Sequence, residues 1–476
     1  MSTAFLSNWR REMYNIDFSK PVKVYFVGIG GISMSGLATI LKREGFDVSG
    51  SDRAPSEVTD LLEKEGIRVF YGQKTENITD DIEVAVFTAA IHPDNPEYVE
   101  IKRLGIPSLT RAQLVGQLMK NYKTSVAISG THGKTTTTSM ISEILMAQET
   151  DPTITVGGML PSIGGNIRVG GRDYFVTEAC EYTNSFLDFF PDIALILNIE
   201  EDHLDFFKDL DDIRASFKKF ASLLPEDGTL IINSGIENTD YITDGLECNV
   251  VTFGLTAAGG KEADYTADNV FYDEMGCPEF DLKVRGKDRM HIHLGVPGEH
   301  NVLNALAACA FADAVGAEET AVSRALNSFE GTDRRFQKKG TILNGVMLVD
   351  DYAHHPTEIR ATLTAAKNYP HKKLWCVFQP HTYTRTKAFL DEFADALSLA
   401  DAVILTDIYA AREQNTVGVT SRDLLARLEA KGGETHYFSY FDDIENFLLL
   451  NAQPGDVVLT MGAGDVVQIG EHLLGK

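Results

Sequence analysis

The stretch Ser125-Val126-Ala127-Ile128-Ser129 runs directly into Gly130-Thr131-His132-Gly133-Lys134-Thr135-Thr136-Thr137-Thr138, and the junction reads as strand, phosphate loop and helix. Glycines let backbone N–H groups close around phosphate oxygens, and the following helix points its positive end at the same anion. On this reading Gly130, Thr131, His132, Gly133, Lys134, Thr135 and Thr136 bind the phosphates of ATP, with Lys134 on the outer ones. Thr135 carries the hydroxyl that such loops offer to Mg2+, a cation that takes hard oxygen ligands. The common spacing has a glycine where this chain has Ile128, so the loop is a shorter form, Gly-x-x-Gly-Lys-Thr. A glycine turn with a surface lysine is the competing reading. Against it stand the strand before the loop and the helix-compatible Met140-Ile141-Ser142-Glu143-Ile144-Leu145 after it.

The chain around this loop has 476 residues, enough for roughly two to four domains with cores of their own. Met1 to Lys20 carries Arg10, Arg11, Glu12, Asp17 and Lys20 without a long apolar run, which speaks against a secretory signal or a membrane span and makes the cytoplasm the expected location. Cys180, Cys248, Cys277, Cys309 and Cys376 are odd in number and scattered, so neither a disulfide framework nor a zinc site is expected. A net charge of −26 disfavours nucleic acid and anionic membranes as partners. A nucleotide would have to be attracted by local loops.

Strand and helix patterns alternate in three segments, and the fold class expected is α/β with three domains. The first, residues 1–122 with 1–20 as an extension, opens with Val22–Val27, a glycine loop, a helix from Met34 to Arg43 and the strand Asp47–Asp52. The second, residues 123–330, is a central phosphate-loop α/β domain, with an antiparallel addition from Gly259 to Asp288 and a helix from Asn301 to Val315. The third, residues 331–476, repeats the alternation with Val346–Asp350, Leu374–Phe378, Ala402–Thr406 and Asp456–Thr460. Three sheets on short links leave clefts between domains, where ligand sites tend to lie.

Gly28, Gly30 and Gly31, followed by Asp52 after the next strand, taken alone suggest a dinucleotide-binding dehydrogenase. Ser33 stands at the third glycine position, however, and hydride transfer has no use for a second loop at Lys134. The loop should still bind a diphosphate. Asp52 could bond a ribose hydroxyl or cap a helix. Two phosphate-binding loops imply two nucleotides, or ATP plus a nucleotide-linked substrate.

Further candidates lie at strand ends. Thr177-Glu178-Ala179-Cys180-Glu181 offers carboxylates beside the phosphate loop, with Glu178 as the magnesium candidate and a solvated acidic loop as the alternative. Asn198-Ile199-Glu200-Glu201-Asp202-His203 places an imidazole among carboxylates. Asp350-Asp351-Tyr352-Ala353-His354-His355-Pro356 could orient an amine or hold a cation, and Arg385 in Gln379–Thr386 suits a carboxylate or phosphate. Arg334-Arg335 reads equally as a cleft pair or as surface arginines.

These motifs, with His300–Asn304, Asp333–Gln337 and Met461-Gly462-Ala463-Gly464-Asp465, in this order and spacing from about Val22 onward, resemble the Mur ligases, and among them the alanine-adding branch. The resemblance implies a Rossmann-like N-terminal domain for the UDP end of a substrate, a central ATPase domain and a Rossmann-like C-terminal domain receiving an amino acid. It implies UDP-N-acetylmuramate and L-alanine as substrates, ATP and Mg2+ as cofactors, and a monomer or weak homodimer. Lys134 and Thr135 would hold ATP and magnesium, Glu178 and His203 a second magnesium, and Asn301 with Asn304 the adenine. Gly28, Gly30, Gly31 and Asp52 would serve the UDP substrate, and Arg335 the γ-phosphate. Tyr352, His354, His381 and Arg385 would line the place where amine and acyl group meet, with His354 or Asp351 as base. Two departures are visible: Thr382 stands where many alanine-adding members have arginine, and Lys218 lies near the carbamylated lysine of other branches, which the alanine-adding branch generally lacks. A peptide-adding ligase, an NAD-dependent dehydrogenase and a non-catalytic nucleotide-binding regulator are the rival expectations.

Overall fold

The apolar runs become parallel strands buried on both faces, as strands covered by helices on each side must be. A computed structural model describes residues 14–88, 91–255, 262–343, 345–411 and 413–476. The first sheet contains β1 (Lys23–Val27), β2 (Asp47–Asp52), β3 (Arg68–Tyr71), β4 (Val84–Phe87) and β5 (Ser108–Thr110), all parallel in the order β3-β2-β1-β4-β5. Strand order reverses beside β1, so the Gly28 loop opens at the crevice where such sheets bind ligands.

The central sheet contains β6 (Thr124–Ser129), β7 (Thr153–Leu160), β8 (Gly165–Arg168), β9 (Tyr174–Ala179), β10 (Ile193–Ile196), β11 (Thr229–Asn233), β12 (Asn249–Phe253), β13 (Tyr265–Tyr272), β14 (Pro278–Val284) and β15 (Lys287–His293). Its order is β15-β14-β13-β12-β11-β10-β6-β9-β7-β8. The phosphate-loop strand β6 lies between β9 and β10, parallel to both, so the residues that follow these three strands gather at one sheet edge. The meander β13–β15 is the antiparallel addition; positions 259–261 of the expected stretch lie outside the described residues.

The third sheet holds β16 (Gln337–Ile342), β17 (Val346–Asp351), β18 (Leu374–Phe378), β19 (Ala402–Leu405), β20 (Glu434–Tyr437) and β21 (Val457–Met461), ordered β16-β17-β21-β18-β19-β20. Only β16 pairs antiparallel. Three α/β layers thus replace the three sequence segments.

One hydrophobic core runs across the boundary between the first and central domains. Leu114 and Leu118 of the helix Arg111–Met119 belong to the same buried cluster as Phe186, Phe189 and Phe217. The approach is close enough that a Cβ on Gly116 would lie 2.0 Å from the Asp188 carbonyl oxygen, so the helix needs glycine there. Part of the expected N-terminal extension is built into this body. Ile16 is buried, its N–H donates to Gln117 Oε1 (2.7 Å), and Phe18 packs edge-on against Phe46. Positions 1–13 lie outside the described residues.

Candidate active site

The loop after β6 takes backbone angles that favour glycine, with φ of +141° at Gly130 and +81° at Gly133. The helix Lys134–Ala147 begins there without a side-chain cap, so its first N–H groups face the loop. Lys134 folds over the loop, donating to the carbonyls of Gly130 and Thr131 and to Glu181 at 3.3 Å. Burial works against its ammonium, but the Glu181 carboxylate outweighs it and holds the pKa above the ordinary lysine value. Lys134 is a fixed positive charge.

After β9 the two candidate carboxylates part company. Glu178 accepts the N–H of Gly157 at 2.5 Å. Glu181, 3% exposed, faces both Lys134 and His203, whose Nε2 lies 3.7 Å away. His203 stacks on Tyr182 with centroids 4.5 Å apart, and burial lowers its pKa, leaving a neutral imidazole able to ligate a metal. Ligand atoms of Cys180, Glu181 and His203 all lie within 4.8 Å of one another. Burial pushes the Cys180 thiol up to about 11, so it stays protonated and leaves Glu181 and His203 as the donors suited to a hard cation.

The chain then crosses into the third domain and contributes from the far side. Arg334 pairs with Asp350 Oδ2 (2.9 Å) and donates to the carbonyls of Gly462 and Gly464, which makes it structural. Both guanidiniums lie over the Tyr352 ring, but Arg335 donates to Thr135 Oγ1 at 3.4 Å. The residue types alone left the two arginines equivalent and the family resemblance favoured Arg335; their partners separate them. Asp351 accepts the N–H groups of Phe336 (2.8 Å) and Ala353 (2.7 Å), and burial pushes it up to about 6. One oxygen braces the segment that carries Arg335, and the other braces the loop that follows Asp351 itself.

Two cavities lie between the central and third domains. The larger, about 630 Å3, is lined by His132, Gly133, Thr136, Asn301, Asn304, Arg335 and Asp351. Asn301 donates to the Pro297 carbonyl, Asn304 donates to Asn301 Oδ1 (3.0 Å), and Asn304 Oδ1 accepts from Thr137, so both amides are fixed at its wall. The smaller, about 310 Å3, is lined by Tyr182, Asp202, His203, His381, Arg385 and Glu413. There Arg385 forms a buried fork with Asp202, donating at 2.8 and 3.0 Å to Oδ1 and at 3.1 Å to Oδ2. Burial raises the Asp202 pKa, yet Arg385 more than cancels this and holds the carboxyl well below the usual range. The carboxylate that Arg385 meets here is therefore internal. His381 contacts Arg385 at 3.2 Å and stacks on Tyr409, and burial lowers it to about 4. Burial likewise lowers His354 to about 3; its Nδ1 lies 3.0 Å from the Tyr352 carbonyl and its ring contacts that of His381. His354 is a neutral imidazole, whereas Asp351 borders the larger cavity.

In the first domain, Gly28 has φ +83° and the helix Ile32–Arg43 starts at Gly31 uncapped. Asp52 accepts the Gly30 N–H at 2.8 Å, so its carboxylate braces the loop, a use that neither the ribose nor the helix-cap reading contained. The structure thus brings Lys134, Thr135 and Arg335 to one edge with His203 beside Glu181, gathers Tyr352, His354, His381 and Arg385 nearby, and leaves Gly28, Gly30, Gly31 and Asp52 on a separate sheet. Sequence reasoning passed over Glu181 and Asp202 although both stand inside quoted motifs. The signal was their place in the loops that follow β9 and β10, on either side of the phosphate-loop strand.

Comparison with known proteins agrees with this layout. Residues 23–123 match the Mur ligase family catalytic domain, 128–312 the Mur ligase middle domain and 334–464 the Mur ligase glutamate ligase domain. The chain is 56% identical over 464 residues to UDP-N-acetylmuramate--L-alanine ligase of Agathobacter rectalis, covering 98% of this chain and 100% of that one. It is 50% identical over 459 residues to the enzyme of the same name from Caldanaerobacter subterraneus, covering 96% and 98%. The crystal structure of UDP-N-acetylmuramate-alanine ligase from Thermotoga maritima superimposes with a TM-score of 0.79 at 31% identity, over 95% of this chain and 98% of that one. With three matched domains and more than half its residues shared with a full-length relative, the chain belongs to the Mur ligase family.

Proposed function

We infer that the protein joins L-alanine to the lactyl carboxylate of UDP-N-acetylmuramate at the expense of ATP, a step in building peptidoglycan precursors. The observation that carries this reading is that Arg335, from the third domain, reaches Thr135 of the phosphate loop over which Lys134 folds. Full-length relatives bearing the alanine-ligase name support the substrate pair.

The substrate carboxylate attacks the γ-phosphorus of ATP, the bond to ADP breaks, and an acyl phosphate forms; the amine of alanine then attacks the acyl carbon and phosphate leaves. Both reacting partners in the first step are anions. Lys134, Arg335 and the N–H groups of residues 130–134 offset their repulsion where charge develops. Mg2+ would be held by Thr135, Glu181 and His203, and when bound it supplies electrostatic stabilisation of the phosphate oxygens. Asn301 and Asn304 offer fixed amide edges to the adenine. The UDP end rests on the Gly28 loop of the first domain.

The alanine amine must lose a proton before it attacks. His354 is the base this geometry favours, because its ring faces His381 near the smaller cavity, whereas Asp351 spends both oxygens on backbone N–H groups. Arg385 and His381 position the acceptor end, with Asp202 fixing the guanidinium plane. Enclosure between domains keeps water from the acyl phosphate.

The test is product mass after incubation with ATP, Mg2+ and UDP-N-acetylmuramate, offering L-alanine or the tripeptide L-alanyl-γ-D-glutamyl-meso-diaminopimelate. Addition of one alanine supports the reading. Addition of the tripeptide alone would move the protein to the peptide-adding branch.

A further inference from the structure

His132 sits in the phosphate loop, yet its side chain points across the domain boundary. Its Nδ1 lies 3.3 Å from Glu358 Oε1 on the third-domain helix Pro356–Asn368, and its Nε2 lies 3.4 Å from Glu200 Oε2, beyond β10. The His355 ring packs against it with centroids 4.7 Å apart. Around this contact the two domains are laced by further bonds: Thr357 Oγ1 donates to Glu200 Oε2 at 2.6 Å, and His355 Nε2 donates to the Glu201 carbonyl at 3.0 Å.

Ligand atoms of His132, Glu200 and His355 lie within 4.8 Å of one another, a spacing that also suits a metal. Two of these groups already accept hydrogen bonds, however. His355 Nδ1 accepts the Thr357 N–H, and Glu200 Oε2 accepts the Thr357 hydroxyl. What remains is one imidazole with a carboxylate at each nitrogen, an arrangement that a second ring proton completes.

We propose that His132 is a positioning residue: as an imidazolium held between Glu200 and Glu358, it latches the third domain onto the phosphate loop and so keeps Arg335 within reach of Thr135. Burial opposes the charge, but Glu358 and Glu200 overcome it and raise His132 to about 9. Glu358 is itself opposed by burial yet held well below the usual carboxylate range by His354 and His132. The other groups facing this contact are His354 and His355 from the helix start, Asp351 from the end of β17, Arg335 from the linker, and His300 from the helix Glu299–Ala314. Burial lowers both His355 and His300, the latter to about 4, and Arg335 is the permanent cation near Glu358.

In an open form His132 returns toward its ordinary value of about 6.5. Its pKa is thus higher in the closed form, so its contribution to closure is complete below about 6.5 and fades as pH rises through about 9. Glu358→Gln keeps an oxygen for the His354 and His355 N–H groups that Glu358 now caps, but removes the charge.

The experiment is small-angle X-ray scattering of the whole protein without substrates, at pH 6 and pH 8, for the natural chain, Glu358→Gln and Glu200→Gln. The natural chain should give the compact particle at both pH values, while each variant should be expanded at pH 8 and recover at pH 6. The KM for ATP at pH 8 should rise about tenfold in the variants, a change equal to one pKa unit of lost interaction, and narrow at pH 6. Variants as compact as the natural chain at pH 8, or expanded equally at both pH values, would overturn the latch. The proposal rests on the reading of Arg335 at the phosphate loop, but scattering involves no turnover, so its failure would leave the ligase assignment standing.

Discussion

The two glycine loops are built on the same backbone plan and differ in charge. Each follows the first strand of its sheet and opens an uncapped helix, at Gly31 in the first domain and at Gly133 in the central one. At the first loop the Gly30 N–H is taken by Asp52, and the helix begins Ile32-Ser33 with no lysine. At the second, Lys134 lies over the loop and Arg335 arrives from another domain. Backbone dipoles alone suffice to dock a diphosphate. Convergent side-chain cations mark the place where phosphoryl charge moves. On the proposed reading the first loop holds a substrate, and the second performs chemistry on one.

Exchanging charge at either loop should have very unequal effects. Lys134→Ala should lower turnover by roughly a thousandfold or more, measured as steady-state ADP release with both substrates saturating. Near-normal rates would make the second loop no different from the first. Arg335→Ala should cost roughly a hundredfold in kcat, with partial rescue by lysine, because charge is restored without the fork. Glu181→Gln should raise the Mg2+ concentration needed for half-maximal rate by at least about tenfold, and Glu178→Gln by much less. The reverse ranking would return the metal to the residue first favoured from sequence. Asp52→Asn should be the smallest change, a few-fold shift in the KM for UDP-N-acetylmuramate with kcat unchanged, about 1 kcal/mol.

The three α/β layers and both loops were legible because buried parallel strands are apolar throughout and glycine loops sit at their ends. The strands that escaped notice, β7, β8, β16 and β20, lie at or near sheet edges. Thr153–Leu160 contains adjacent glycines, and Gln337–Ile342 carries two lysines, so neither shows a buried strand's pattern. Residue types in the site were also legible, but their partners were not. Arg334 and Arg335 are neighbours in sequence and alike in type, and their partners, Asp350 for the first and Thr135 for the second, tell them apart. Glu178 and Glu181 differ by less than one helical turn, yet one holds a backbone N–H and the other faces Lys134 and His203. The Asp202–Arg385 fork joins positions 183 apart in the chain. Such pairings depend on how distant segments of the chain meet, which no local pattern encodes.

The central claim is that phosphoryl transfer at the second loop activates the carboxylate delivered by the first domain. The direct measurement uses UDP-N-acetylmuramate carrying heavy oxygen in its lactyl carboxylate, with ATP, Mg2+ and L-alanine, followed by mass analysis of the released phosphate. An acyl phosphate requires one labelled oxygen to leave with each phosphate as the amide forms. Unlabelled phosphate accompanying alanine addition would show that the carboxylate is never phosphorylated and would contradict the mechanism.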